Sequence, residues 1–149
     1  EKKLRVALVS GSLEYKSDET LPLLQKLLEE KYPVECVRMF RKTDEDIPGL
    51  DKLAGCDVAI FFTRRLTIDG EQLKAVKAYC ESGKPVIGIR TASHGFQNWL
   101  EMDKEVFGGN YKNHYGAGPK CETKITDAGK DHPILKGVKP FTSEGSLYK

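Results

Sequence analysis

Polar and ionisable side chains follow three apolar runs of this sequence. They lie in the segments Gly11–Lys16, Thr63–Asp69 and Arg90–Gly95. In open parallel sheets, ligands bind beyond the carboxyl ends of the strands, near the point where strand order reverses. If the three runs are neighbouring strands, these segments meet at one crevice with hydroxyl, carboxylate, guanidinium and imidazole groups. The residues that supply these groups are Ser12, Glu14, Tyr15, Arg64, Arg65, Arg90, Ser93 and His94.

Ser93 and His94 are candidates for catalysis. A serine becomes a nucleophile when a base accepts its proton, and a third group must orient that base. Adjacent residues usually point apart, so the sequence also fits a mechanism in which His94 or Glu14 acts alone as general acid or base.

The arginines of these segments fit ligand binding. Arg90 fits either a clamp for a carboxylate or sugar hydroxyls, or an ion pair with Glu14 that holds the crevice together. Arg64 could bind a ligand or belong to a solvated pair of loop charges, and its position after a buried strand favours binding. Tyr15 completes this predicted ligand-binding set.

The sequence predicts no cofactor and no defined metal site. The three histidines, His94, His114 and His132, form no compact metal-binding motif. A divalent metal held by His94, His114 and a carboxylate is left open, whereas His132 fits a turn or capping role. The segment 10–16 contains neither a P-loop nor a GxGxxG pattern, and Glu14 would repel the phosphate of a flavin mononucleotide.

Four apolar segments have the composition of buried strands, being rich in β-branched residues. They are Leu4–Val9, Val34–Phe40, Asp57–Phe62 and Val86–Ile89. Helices are predicted between them, together with a short helical segment around Leu50–Leu53. Alternating strands and helices predict right-handed crossovers and a parallel sheet with helices on both faces. The expected fold class is therefore α/β, a three-layer flavodoxin-like domain.

Two of the predicted helices carry start signals. Thr20 is a candidate N-cap with Pro22 in the first turn. Asp69 and Gln72 resemble a capping box, and Gly83 is a candidate stop.

The last third of the chain is predicted less regularly. Phe96–Phe107 has apolar residues at mostly helical spacings, and Cys121–Thr126 fits a short peripheral strand. A chain of 149 residues suits a single domain over 1–149. A hydrophobic element begins at Ser146–Lys149, so we expect further structure beyond this C-terminus. An edge strand left unpaired there would favour a homo-oligomer.

Composition argues against two partner classes. The 24 Lys and Arg against 22 Asp and Glu give a net charge of +2, which creates no strong field toward nucleic acid or acidic membranes. No run of about 18 apolar residues is present to span a bilayer. We expect a soluble protein, cytoplasmic or exported after signal removal, and the compartment stays open because the first residue is Glu. The four cysteines form no CxxC pair, and Cys56 and Cys80 are expected to be buried thiols.

One segment is similar to the elbow of class I glutamine amidotransferases. In those enzymes a strand of the form P-V-x-G-I delivers a cysteine into a sharp turn, followed by Gly-His-Gln. Here Lys84–Arg90 is followed by His94–Gln97, and Arg90 stands at the cysteine position. A guanidinium stays protonated and cannot act as a nucleophile. Cys80 lies on a predicted helix and Cys121 lies beyond the sheet, so glutaminase activity is not expected.

Within that superfamily the chain most resembles the ThuA-like proteins, the trehalose-utilisation group. The similarity covers essentially the whole chain and includes Gly83–Pro85, Gly108–Tyr111, His132–Ile134 and Leu147–Tyr148. The resemblance implies a small polar ligand, such as a carbohydrate or its oxidised derivative. It also adds His114, which follows the Gly-Gly segment, to the ligand-binding set.

Two functions follow from these expectations. The first is a ThuA-like protein of carbohydrate metabolism, of hydrolase or isomerase type if it is an enzyme. In it His94, Ser93 or Glu14 would act in catalysis, and Arg90 and Arg64 would orient the substrate. The second is a non-catalytic binding or assembly module that kept the scaffold after losing the nucleophile.

Overall fold

A computed structural model describes residues 2–149. Contacts between residues divide the chain into two compact units, the first ending at Asn110 and the second formed by Tyr111–Lys149. The single domain expected over 1–149 stays a prediction.

The first unit is built on a parallel four-stranded sheet. Its strands are β1 (Leu4–Gly11), β2 (Val34–Phe40), β3 (Val58–Thr63) and β4 (Val86–Gly88), in the order β2-β1-β3-β4. The four strands predicted from sequence are confirmed. The chain leaves β1 for β2 on one side and later returns to place β3 on the other side, so strand order reverses between β1 and β3.

Successive residues of β1 contribute to two different apolar clusters. Val6 and Leu8 pack in the cluster that contains Leu21 of α1 (Ser17–Lys31). Ala7 and Val9 pack in the cluster that contains Val76 of α2 (Gly70–Glu81). Because successive side chains of a strand point to opposite faces, the sheet is covered on both sides. The three-layer α/β architecture is thereby confirmed.

Helix α1 begins three residues before the predicted cap. Thr20 lies inside the helix, and the N-cap residue is Lys16, which has a left-handed backbone. The first helical residue is Ser17, whose buried hydroxyl accepts a hydrogen bond from the Ser12 backbone N–H at 2.8 Å. This contact to the end of β1 fixes the helix start, so the capping rule applied to Thr20 was wrong.

The start of α2 is partly as predicted. Asp69 is the N-cap, and its carboxylate accepts from the Gly70 N–H at 2.8 Å. Gln72 does not complete a capping box, because its side chain accepts from the Ile47 N–H and donates to Asp46. It therefore ties the preceding loop to the helix.

The predicted helix over Phe96–Phe107 is replaced by two short turns. Residues Gln97–Trp99 form a 3₁₀ turn and Asp103–Phe107 a π-type turn that ends at Gly108, with φ +70°. The apolar spacing was interpreted as one regular helix, and that was wrong. Trp99 and Met102 are nonetheless buried in the core cluster on the α2 face.

The second unit contains a small antiparallel pair. Its strands are β5 (Cys121–Thr123) and β6 (Phe141–Ser143). Strand β5 begins at the predicted residue and ends three residues earlier than expected. His132 caps the 3₁₀ turn Pro133–Leu135 by accepting from the Ile134 N–H, which confirms its predicted turn role.

Candidate functional site

The loops that follow β1 and β3 meet where strand order reverses. Gly11 and Thr63 are register partners at the ends of these strands. One residue later, the Arg64 N–H donates to the Gly11 carbonyl at 3.1 Å. The two loops are therefore held together by main-chain bonds at the position where open parallel sheets bind ligands.

The loop after β4 joins the same edge. The Arg65 N–H donates to the His94 carbonyl at 2.9 Å, and the Leu66 N–H donates to the Gly95 carbonyl at 2.8 Å. All three segments selected from the sequence thus converge. The main-chain bonds hold Arg64, Arg65 and His94 on neighbouring stretches of backbone.

Backbone strain is concentrated at this edge. Among residues 2–149, the non-glycine residues with positive φ are Lys16, Arg65 and Arg90, with φ of 49°, 50° and 48°. The left-handed conformation costs roughly 1–2 kcal/mol for such residues. Strain of this kind clusters at binding and catalytic sites, where the surrounding structure holds it in place. All three residues are basic, and each follows a different strand of the sheet.

Two arginines pack against the 3₁₀ turn Leu13–Tyr15. The Arg64 Nε lies 2.6 Å from a carboxylate oxygen of Glu14. The Arg90 guanidinium carbon lies 4.4 Å from the centroid of the Tyr15 ring, which itself stacks on Phe62. Neighbouring residues of one turn therefore position two guanidinium groups.

Buried hydroxyl groups connect the three elements beneath the site. Thr91 donates to the Ser12 hydroxyl at 3.1 Å. The Ser12 N–H donates to Ser17, whose hydroxyl lies 2.8 Å from that of Ser10. All four side chains are buried. They link the end of β1, the start of α1 and the turn after β4, and so fix the positions of the exposed groups above them.

Ser93 and His94 interact despite being adjacent. The Ser93 hydroxyl lies 3.0 Å from the His94 Nδ1. The expectation that the two side chains point apart was wrong, because the chain from Arg90 to His94 forms a tight 3₁₀ helix rather than an extended segment. The imidazole is buried, while Ser93 is partly exposed.

The surroundings of His94 favour its neutral form. Burial lowers the pKa of His94 below its usual value of 6.5, and the positive charges of Arg65 and Arg64 lower it further. Asp103 and Glu14 act in the opposite direction with smaller effects. A neutral imidazole can accept the Ser93 proton at physiological pH.

Asp103 is the site residue that the sequence interpretation missed. Its side chain is buried, it influences the pKa of His94, and its π-type turn contacts the turn Arg90–His94. A signal was present, since Asp103 lies four residues from both Trp99 and Phe107 and so interrupts the apolar stripe of the predicted helix. Buried carboxylates are uncommon and are usually paired.

His114 belongs to the second unit. Its backbone N–H donates to the Asn113 side chain, and its Nδ1 accepts from the Gly116 N–H at 3.2 Å. The imidazole is exposed and takes part in a local turn. Its place in the ligand-binding set stays a prediction.

Metal-binding clusters and membrane-spanning helices are both absent from the part of the chain that the structure describes. Residues 2–149 contain no group of three or more His, Cys, Asp or Glu side chains placed to hold a metal ion. In the same range, no helix has the length and apolarity needed to cross a bilayer.

A surface groove with a volume of about 350 Å³ lies in another part of the first unit. It is lined by α2 residues and by the turn Leu50–Gly55, and includes Asp51, Glu71 and Lys74. None of the predicted site residues lines it. This groove is an alternative location for a ligand in the first unit.

Comparison with known proteins identifies one family and one fold. The model of the ThuA family, described as trehalose utilisation, matches residues 5–149. The crystal structure of a ThuA-like protein from Bacteroides uniformis superposes with a TM-score of 0.68 at 16% sequence identity. The match covers 97% of this chain and 60% of that protein, so this chain spans about three fifths of the length of its structural relative. No curated protein matches this chain.

Proposed function

This chain belongs to the ThuA family, and we propose that it binds a small polar ligand, a carbohydrate or an oxidised carbohydrate derivative, at the carboxyl edge of its sheet. The observation that carries the proposal is the convergence of Arg64, Arg90 and the Ser93–His94 pair beside the reversal of strand order, at an edge where Arg65 and Arg90 have strained backbone.

The groups at this edge suit a polyhydroxylated molecule. Guanidinium groups donate several hydrogen bonds in a fixed plane to hydroxyl or carboxylate oxygens. Tyr15 presents an aromatic ring on which Arg90 is stacked, so the guanidinium is already oriented before a ligand arrives. A pre-oriented donor loses less conformational entropy on binding, which favours affinity.

The same groups could support proton transfer. His94 is neutral at physiological pH, because burial and the neighbouring guanidiniums lower its pKa. It can therefore accept a proton from a ligand hydroxyl, or from Ser93 at 3.0 Å. Arg64 and Arg90 would then stabilise negative charge that develops on the ligand. Asp103 is the candidate for the acid that orients the imidazole.

Cysteine-dependent glutamine hydrolysis has no support in these residues. Burial raises the pKa of Cys36 and of Cys80 to about 11, and it also raises the pKa of Cys56. A thiol that stays protonated at neutral pH is a poor nucleophile. Arg90 occupies the elbow itself, so the proposed function excludes glutaminase activity.

A thermal-shift screen of neutral sugars and sugar acids tests the proposal. A ligand at about 100 times its Kd stabilises the folded protein by about 2.7 kcal/mol. We expect at least one compound to raise the Tm of the wild type, and we expect the rise to vanish in Arg90→Ala and in His94→Ala. Arg38→Ala is the matched control, because Arg38 also stacks over an aromatic ring, that of Phe40, but lies in β2.

Two results would count against this function. One is a screen in which no sugar or sugar acid shifts the wild type. The other is a ligand-induced shift that survives in both Arg90→Ala and His94→Ala. If ligand binds normally at this edge but no compound in the screen is turned over, the chain is the non-catalytic binding module.

A further inference from the structure

The charges at the carboxyl edge point to the chemical class of the ligand. We infer that the ligand carries a carboxylate, and that this carboxylate replaces that of Glu14 on Arg64. The inference rests on the proposed function and narrows it from polar carbohydrates in general to acidic carbohydrate derivatives.

Cationic groups outnumber exposed anionic groups at this edge. Arg64, Arg65 and Arg90 all follow strand ends there. The exposed carboxylates of the three loop segments are those of Glu14 and of Asp69, and Asp69 caps α2. Asp103, the other carboxylate near His94, is buried. Because the chain as a whole has a net charge of only +2, this concentration of guanidiniums is local rather than a reflection of composition.

The charges that act on His94 also favour an anionic ligand. The influences of Arg65 and Arg64 on its pKa are larger than the opposing influences of Asp103 and Glu14. Together, these four side chains make the potential at the imidazole more positive. Anions are favoured over neutral ligands in such a potential.

The ion pair between Glu14 and Arg64 can open for a ligand. The Glu14 side chain is 50% exposed and the Arg64 side chain 35% exposed, and the short contact joins one oxygen to Nε. Exposed ion pairs of this kind contribute little to stability. Glu14 belongs to a three-residue 3₁₀ turn, so its side chain can rotate into solvent without disturbing a longer helix.

A carboxylate is the group that matches this exchange. Arg64 already binds the carboxylate of Glu14 through Nε, and a guanidinium can bind an incoming carboxylate in its place in bidentate geometry, with two parallel N–H donors. A neutral hydroxyl of a ligand could not replace the negative charge that Arg64 loses when the Glu14 carboxylate moves away. A neutral sugar would therefore leave the Glu14 contact in place and bind more weakly.

Calorimetric titration of D-glucuronate and D-glucose compares the acid with its neutral counterpart. We expect wild-type protein to bind glucuronate at least about tenfold more tightly than glucose, the effect of one added charge-assisted hydrogen bond. In Glu14→Gln the competing carboxylate is removed, so glucuronate should bind about threefold more tightly or better, and the ratio of its affinity to that of glucose should rise.

Two further variants complete the design. Arg64→Gln should abolish the preference for glucuronate, because the guanidinium that donates hydrogen bonds to the carboxylate is gone. Glu30→Gln is the control for Glu14→Gln, since Glu30 also forms an exposed ion pair, with Lys26 at 3.9 Å on α1. It should leave both affinities unchanged.

The outcomes distinguish a failure of the carboxylate exchange from a failure of the proposed function. Equal affinity for glucose and glucuronate, or weaker glucuronate binding in Glu14→Gln, overturns the carboxylate exchange and leaves carbohydrate binding standing. Acetate that binds as tightly as glucuronate supports the exchange but contradicts a role for the carbohydrate. Absence of binding by glucuronate, glucose and acetate refutes the inference.

Discussion

The buried imidazole of His94 should make the stability of the protein fall in mildly acidic solution. In the unfolded chain a histidine takes up a proton near pH 6.5, whereas burial and the guanidiniums of Arg65 and Arg64 lower the pKa of His94 in the folded protein. Below pH 6.5 the unfolded state therefore binds more protons than the folded state, and the free energy of unfolding decreases as the pH falls. The loss continues until the pH reaches the folded pKa.

The size of the effect follows from proton linkage. Within this interval each pH unit removes at most about 1.4 kcal/mol. For a chain of this size, 1 kcal/mol corresponds to roughly 2–4 °C in Tm. We therefore expect His94 to lower the Tm by up to about 6 °C per pH unit below pH 6.5.

Thermal melts followed by tryptophan fluorescence provide the assay. The chain has one tryptophan, the buried Trp99, which reports on the first unit. His94→Asn keeps an acceptor near the position of Nδ1 for Ser93 but cannot be protonated, so its Tm should depend less on pH between about 7.5 and 5.5. His132→Asn is the control, because this exposed imidazole also accepts a hydrogen bond through Nδ1. Identical slopes in wild type and His94→Asn would refute the account of His94.

Three further predictions follow from the packing and charge of the same unit. Iodoacetamide should modify Cys80 about 100-fold more slowly at neutral pH than a free thiol, because burial raises its pKa to about 11. Gly95→Ala should destabilise the protein by about 1–3 kcal/mol in urea unfolding, because the added Cβ would contact the Thr63 hydroxyl and force the backbone to shift. Arg90→Gly should be more stable than Arg90→Ala by about 1 kcal/mol, since glycine adopts the φ of 48° without strain and both variants lose the stacking on Tyr15.

Each of these predictions has a control and a contradicting result. Labelling of Cys80 at the rate of a free thiol would contradict the raised pKa of its thiol. Gly55→Ala is the control for Gly95→Ala, because its added Cβ would meet only the flexible end of Arg5. Equal stability of the two glycine variants would contradict the crowding at Gly95. Equal stability of Arg90→Gly and Arg90→Ala would mean that the elbow relaxes when the arginine is removed.

The sheet could be predicted because its strands are buried on both faces. Runs such as Val58–Thr63 are apolar at almost every position, and that pattern is typical of central parallel strands. The order of strands and helices then determines where the loops meet. For this reason the sequence was enough to bring the loops of Glu14, Arg64 and His94 to one edge of the sheet.

Details that depend on tertiary contacts could not be predicted. Ser17 starts α1 because its hydroxyl bonds to the end of β1, and local capping rules contain no information on that partner. Gln72 was assigned to a capping box, but its side-chain oxygen accepts a hydrogen bond from the backbone N–H of Ile47, a loop residue distant in sequence. Asp103 lies within an apolar stripe that predicted a helix, so it was not identified as a site residue from the sequence. For Ser17 and Gln72, a polar contact outside the helix outweighed the local preference.

A two-dimensional amide NMR titration with D-glucuronate would locate the bound ligand residue by residue. We expect chemical-shift changes concentrated in Gly11–Lys16, Arg64–Leu66 and Arg90–Gly95, the three loops at the carboxyl edge. Changes concentrated instead along the groove between α2 and Leu50–Gly55, or no changes at saturating ligand, would contradict this expectation.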